Sequence, residues 1–366
     1  MNPRMRIASR KLLVMVIAWM AVSLLVTCYD YFALQSDIAA GFASDYSFRR
    51  SLLFNLAAAT LGALLGGPFL IFYINEKFRH RPYGHSLIRV SIYFVFLVTL
   101  ITLVLAFWVV WDKTGHWPYF VDEATVEYHK FLMNPLHIKN SIIWFNVTLL
   151  TQFLIQMDDK FGPGLLWSFI VGKYNTPRKE ERVFMFLDLK DSTRIAEQLG
   201  NEGYHALLRD FFSDITNSII HTQGRIYQYV GDEVVVSWDM KAGKKNQQCI
   251  KCFFDAKQKI DEKKALYNER YNLVPKFKAA MHCGSVTVGE IGVIKRDITY
   301  SGDVLNTTAR IMGRCNSLGK ELLISSKLYH YIDSELTHYS FKEVGDEQLR
   351  GKIGKVKMYG VDVNVF

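Results

Sequence analysis

Four stretches of this sequence carry almost no charge: residues 12–29, 51–74, 87–111 and 142–157. A helix needs roughly 20 apolar residues to cross a bilayer core, and in lipid the backbone must satisfy its own polar groups. The stretches therefore predict a helical membrane domain of four spans over residues 1–157, the fourth being long enough only if it starts near Ile138. The first stretch follows Arg4, Arg6, Arg10 and Lys11 as a secretory signal does. Its apolar run is too long for a signal core and no small-x-small cleavage site is clear, so it is read as a span.

Loop charges orient the bundle. Lys and Arg crowd the N-terminus and residues 75–86, whereas 30–50 and 112–140 carry Asp30, Asp37, Asp45, Asp112, Asp122, Glu123 and Glu127. The positive-inside rule then places both termini, and everything after about Asp158, in the cytoplasm, with the cell (inner) membrane as the expected host. The formal charge of +9 does not imply nucleic acid, because zinc-ligand, recognition-helix and aromatic-interleaved basic motifs are all missing. Much of the excess lies beside the spans and in the lysine-rich stretch 241–264, where membrane-surface attraction and solvation account for it. Cys249 and Cys252 form a lone CxxC in a helical pattern with no second pair, which reads as structural thiols. Gly62 and Gly66 make a GxxxG that permits close helix packing. No ionisable residue lies centrally in any span, which argues against an ion or proton path.

Residues 158–181 read as a juxtamembrane linker. Gly162, Pro163 and Gly164 break the preceding helix, and Leu165, Leu166, Phe169 and Ile170 then repeat at helical spacing. This short helix either lies in the membrane interface with Trp167 as anchor or pairs with its copy in a dimer. From Arg182 to the end the pattern becomes α+β. Strands are predicted at 183–189, 225–230, 233–238, 276–282, 286–288, 321–325, 338–344 and 355–363, with helices at 192–199, 203–221, about 247–268 and in the second half of 297–315. Gly231 and Asp232 form a two-residue hairpin connection, and the mixture of hairpins and helices predicts a mainly antiparallel sheet.

The apolar run Val183 to Leu187 stops on Asp188, a charge that needs a partner there. Asp232 lies at the hairpin tip, so neighbouring strands would bring two carboxylates to one sheet edge, where a divalent cation relieves their repulsion. Magnesium suits such a site because it takes few protein oxygens and completes its shell with water and phosphate. An acid at a strand end and a Gly-Asp turn are each ordinary, so the pair alone does not decide.

The segments FLDLKDST (186–193), YVGDEVVVSW (229–238), MHCGSVTVGEIG (281–292) and YSGDVLNTTAR (300–310) resemble, in order and approximate spacing, the class III nucleotidyl cyclase catalytic domain. The resemblance covers about residues 182–363. It implies a ferredoxin-like sandwich, a head-to-tail homodimer with active sites shared at the interface, and two Mg²⁺ or Mn²⁺ ions per site. Asp188 and Asp232 match the metal ligands, with the backbone carbonyl of Leu189 as a further oxygen. Asn306 and Arg310 match the pair that stabilises the transition state, Lys278 a triphosphate contact, and Arg350 or Lys352 a second one.

In the reaction that the resemblance implies, the ribose 3′-oxygen attacks the α-phosphorus of the same nucleotide and pyrophosphate leaves, so metal charge and a planar guanidinium suffice without a protein base. Four residues apart on a helix, Asn306 and Arg310 share a face. Backbone N–H groups leading into the helix at Ser192 and Thr193 can hold phosphate oxygens. Where the family usually has a base-selecting Lys, and an Asp or Thr, this chain has Gln228 and Thr299. Both side chains donate or accept, so they do not choose between ATP and GTP. The Glu and Cys of guanylyl cyclases are absent, and family frequency favours ATP. The expected activity is thus adenylate cyclase, with guanylate or mixed specificity as the alternative and a non-catalytic cyclase-like receptor behind it. A diguanylate cyclase lacks its second glycine and Phe here, and transport lacks charged or broken spans.

Overall fold

The structure is a computed structural model that describes residues 3–34, 47–74, 83–133, 135–162, 164–294, 296–332, 338–348 and 355–364. The chain divides into two compact units, in the main Met5–Leu166 and Trp167–Phe366.

The first unit is helical: α1 (Pro3–Leu34), α2 (Phe48–Pro68) running into a π-helical turn (Phe69–Ile74), α3 (Tyr83–Thr114), α4 (Asp122–Leu132) and α5 (Pro135–Phe161), followed by α6 (Leu165–Ile170). Among the described residues three stretches are long and apolar enough to cross a membrane, Ile7–Leu34, Ser51–Tyr73 and Ile138–Lys160, and Gly84–Leu100 is a shorter apolar stretch within α3. These helices point to membrane association. Helix α4 lies in what the sequence pattern treats as a loop, its Ala124 and Tyr128 buried against Ala106 and Val110 of α3.

Ion pairs tie α1 to α5 at both ends. Lys11 Nζ lies 3.0 Å from Asp158 and 2.5 Å from Asp159, and Lys139 pairs with Asp30. The two helices are therefore antiparallel. From Lys11 to Asp30, and equally from Lys139 to Asp158, the chain rises about 28 Å, close to the roughly 30 Å of a hydrocarbon core. Between these levels Trp19 donates to Thr151 Oγ1 at 3.0 Å. Of the predicted GxxxG only Gly62 meets a neighbour, Trp19; a Cβ on Gly66 would meet nothing within 4 Å. The close approach is at Gly67, where a Cβ would come within 2.3 Å of Met15 and 2.4 Å of Leu12.

The second unit contains β1 (Arg178–Leu189), α7 (Ser192–His221), β2 (Arg225–Val230), β3 (Glu233–Asp239), α8 (Met240–Lys244), α9 (Gln248–Glu262), α10 (Lys264–Tyr271), β4 (Phe277–Ile291), β5 (Asp297–Ser301), α11 (Asp303–Met312), β6 (Leu322–Ser325), α12 (Ser326–Tyr331), β7 (Tyr339–Gln348) and β8 (Lys355–Val363). The sheet runs β2-β3-β1-β4-β6-β8-β7 with β5 on β4, and only β4 and β6 pair in parallel. This is the α+β sandwich expected from the sequence.

Alternation along β1 builds both layers. Val183, Met185 and Leu187 face Leu207, Phe211 and Ile215 of α7 and Phe253 of α9, whereas Phe184 and Phe186 face Val304, Ile311 and Met312 of α11. Truncating a fully buried ring such as Phe211 to Ala would cost about 3–5 kcal/mol. The separate strands expected at 276–282 and 286–288 are one continuous β4, because β1 pairs with it along its whole length. A Cβ on Gly284 in its middle would come within 3.0 Å of Lys327 and Val304, so closeness of neighbours, and not a break, explains that glycine.

Candidate active site

Asp188 closes β1 opposite Glu233 of β3 and Lys278 of β4. Asp232 shares the β2–β3 connection with Gly231, whose φ of 63° lies in the left-handed region that a glycine adopts without cost. The fold brings the Asp188 and Asp232 carboxyls close enough for the charge of one to act on the other. Lys278 Nζ lies 3.3 Å from Asp188 Oδ2.

Burial, and next the Asp232 charge, raise the Asp188 carboxyl above its usual range despite Lys278. Glu233 is pushed up to about 7 by burial and then by Asp188 and Asp232. The Tyr204 phenol of α7 is raised by burial and by the same two acids. Asp188, Asp232 and Glu233 act on one another while Lys278 pairs with Asp188, so the edge carries surplus negative charge in partial burial. A hard divalent cation fits that donor set, since two carboxylates leave the rest of its shell to water and phosphate oxygens.

Leu189 follows with its side chain buried in the core, leaving only its backbone to face a ligand. Asp191 then turns the chain in a left-handed conformation (φ 57°) and caps α7 without a side-chain hydrogen bond. The first turn, with Ser192 half-buried and Thr193 exposed, is thereby placed beside the acids.

Asn306 and Arg310 lie on α11, which turns Val304, Ile311 and Met312 into the core. Asn306 is exposed and Arg310 half-buried. Within the described residues neither makes an ion pair or a side-chain hydrogen bond, and nothing joins them to the acids of their own chain. Arg350 and Lys352 lie outside the described residues.

Gln228 is exposed on β2, next to a bulge in its pairing with β3. Thr299 pairs with Gly289 on β5, its Oγ1 buried without a protein partner. Their neighbours Tyr227 and Tyr300 meet edge to face, ring centroids 4.8 Å apart. The residues next to the two expected base-binding positions are therefore in contact. Cys249 and Cys252 are core residues whose thiols burial pushes up to about 12, as suits structural cysteines.

Glu233 and Tyr204 are site residues that the sequence reading missed. Adjacency to Asp232 was a signal for the first; nothing local signals the second, which α7 supplies from the facing layer.

Residues 175–362 match the family described as "Adenylate and Guanylate cyclase catalytic domain". The chain is 33% identical over 200 residues to Adenylate cyclase 2 of Rhizobium meliloti (strain 1021), a match covering 55% of each protein. It is 24% identical over 183 residues to Uridylate cyclase of Rhodovulum sp. (strain MB263), covering 49% of this chain and 70% of that one. Among solved structures a bacterial light-regulated adenylyl cyclase superposes with a TM-score of 0.53 at 20% identity, over 63% of this chain and 66% of the other. That last likeness concerns the fold.

Proposed function

The chain belongs to the family of adenylate and guanylate cyclase catalytic domains, and from that premise we propose that it is a membrane-bound adenylate cyclase, converting ATP to 3′,5′-cyclic AMP and pyrophosphate. The observation that carries the reading is the convergence of Asp188 and Asp232 at one partly buried sheet edge, with Lys278 beside them.

Asp188, Asp232 and the carbonyl of Leu189 would hold two Mg²⁺ or Mn²⁺ ions. When bound, the ions supply charge that acidifies the ribose 3′-hydroxyl and offsets the negative charge of the departing pyrophosphate. A bond forms between the 3′-oxygen and the α-phosphorus, the bond to the bridging oxygen of pyrophosphate breaks, and the hydroxyl proton passes to solvent. The N–H groups at Ser192 and Thr193 and the ammonium of Lys278 bind phosphate oxygens. Arg350 or Lys352 adds a second cationic contact to the triphosphate.

Asn306 and Arg310 act on the α-phosphoryl oxygens from a second copy of the chain. Two observations support the homodimer: the exposed Asn306 and half-buried Arg310 have no ion-pair or side-chain hydrogen-bond partner among the described residues of their own subunit, and the β4–β5 turn exposes Ile291, Val293 and Ile294 at 58%, 90% and 102%, an apolar tip that water alone does not favour. The membrane domain (1–157) crosses four times, with the linker (158–181), the catalytic domain (182–366) and both termini in the cytoplasm and the cell (inner) membrane as host. Gln228 and Thr299 accept either purine edge, so GTP is the second reading, and the uridylate-cyclase relative makes UTP worth including in the assay.

Purified full-length protein incubated separately with ATP, GTP and UTP plus Mn²⁺ should yield chiefly cyclic AMP; a linear or dinucleotide product, or none, would defeat the proposal. Arg310→Ala should lower turnover about 10²–10³-fold. Mixed with Asp188→Ala it should recover about one working site per mixed dimer, and absence of recovery would rule out shared sites.

A further inference from the structure

Strands β2 and β5 lie far apart in the sheet order, with β3, β1 and β4 between them. At about 4.8 Å per strand their side chains would not meet in a flat sheet. Tyr300 nevertheless reaches across the face that α11 covers. Its ring lies 5.3 Å from Phe184 of β1 and 4.8 Å from Tyr227 of β2, and its backbone N–H donates to the Tyr227 hydroxyl at 3.4 Å. Each tyrosine adjoins one expected base-binding residue, Gln228 or Thr299. Thr299 alternates to the face opposite Tyr300 along β5, whereas Tyr227 is the extra residue of the bulge that sets the register of Gln228 on β3. The tyrosine pair is the tie that fixes Gln228 and Thr299 at one spacing.

The tie is itself clamped from the juxtamembrane side. Arg182, only 1% exposed, places its guanidinium 5.2 Å from the Tyr300 ring centre, a cation–π contact in a site that water does not reach. Arg182 Nε and Nη2 donate to Glu180 Oε2 at 2.8 and 2.7 Å, and Nη2 also lies 3.0 Å from Asp239 Oδ1. The other Glu180 oxygen accepts from the Tyr174 hydroxyl at 3.3 Å. Tyr174 belongs to the segment between α6 and β1 and is 5% exposed; its carbonyl accepts from the Glu290 N–H at 3.1 Å, and Pro177 packs on Gly289, the residue paired with Thr299. Every link from the segment to the tyrosine pair is buried or charge-assisted, so displacing Tyr174 cannot leave Tyr300 unaffected.

We propose that Tyr227 and Tyr300 are positioning residues for base recognition, and that the juxtamembrane segment, through Tyr174, Glu180 and Arg182, sets the distance between Gln228 and Thr299. The inference rests on the cyclase reading. A change at the segment alters how the base is held and leaves the acid pair at the far end of β1 untouched. Its signature is a change in KM and in nucleotide preference at nearly constant kcat, which a purely structural role does not produce.

The test uses full-length protein in membrane vesicles, with ATP and GTP kinetics for Tyr227→Phe, Arg182→Met, Arg182→Lys and Tyr174→Ala. Tyr227→Phe keeps the ring and removes one acceptor, so it is the variant least exposed to misfolding. Tyr227→Phe and Arg182→Met should raise KM for ATP about fivefold to tenfold, the worth of one misplaced hydrogen bond to the base. The ATP to GTP ratio of kcat/KM should shift with kcat held within about twofold. Arg182→Lys, which keeps the charge and one donor, should recover part of the loss. Unchanged KM and ratio in Tyr227→Phe, or an equal fall in kcat for both nucleotides, would overturn the inference. A wild-type chain that cyclises neither nucleotide would instead overturn the cyclase reading.

Discussion

In the helical unit the large apolar side chains Leu13, Val14, Ile17, Leu25 and Phe32 are all more than half exposed, while Ser23, Thr27 and Gln152 are buried. In the α+β unit the order is reversed: Trp238, Phe184 and Phe211 are buried, and an arginine such as Arg194 stands 81% exposed. Water drives apolar groups inward only where water is the solvent. In lipid the tails are as apolar as leucine, and helices cohere through close packing and polar contacts instead. On the proposed membrane reading, the glue of the first unit is Lys11 with Asp158, Lys139 with Asp30, Asn55 with Thr27 at 2.9 Å and the close approach at Gly67. The second unit coheres through ring packing, with buried donors satisfied one by one, as Trp238 Nε1 is by Thr222 O at 2.8 Å.

That contrast is open to experiment. The largest effect belongs to the water-facing unit: Asp188→Asn should cut cyclic nucleotide formation more than about hundredfold, since even outer-shell partners of a metal are worth 10–100-fold. Membrane localisation should not change; loss of the protein from the membrane fraction would mean that the two units are not separable. Leu25→Arg should oppose insertion by about 3 kcal/mol, read as the fraction integrated in a glycosylation-mapping assay. Full integration would show that this face does not meet lipid.

Lys139→Met should cost about 1–3 kcal/mol, because it strands Asp30, and Asp30→Asn with Lys139→Met should restore most of it. Thermal aggregation in detergent reads both, and a double variant no better than the single one would remove the pair from the glue. The smallest effect concerns Glu233. Because its pKa rises from the usual 4.5 to about 7 in the fold, the folded chain keeps a proton that the unfolded chain has released. Stability without divalent cation should therefore fall as pH climbs through that window. Glu233→Gln should flatten the profile, and Mn²⁺ should raise the unfolding temperature more at pH 8 than at pH 5.

How much of the site was legible depended on range. Asp188 at the end of an apolar run, Gly231 and Asp232 as a hairpin connection, and Asn306 four residues before Arg310 are local patterns, and each stands on the predicted strand end, turn or helix face. The break of α7 at Gly200 also matches the two predicted helices. Legibility failed where partners come from another layer: Tyr204 beside the acids, and Tyr300 crossing to Tyr227.

Periodicity and charge determined, from the sequence alone, that this chain has an apolar helical part followed by an α+β part, because alternation and helical spacing are set by backbone geometry over a few residues. They also placed Asp188 at a strand end and Asp232 at a hairpin tip. Only the tertiary structure decided that the acids meet, that Glu233 and Tyr204 join them, that Gly67 and not Gly66 admits its neighbours, and that a buried arginine links the segment before β1 to the tyrosine pair. Those facts depend on which surfaces pack together. Packing is a property of the whole chain, and no window of residues encodes it.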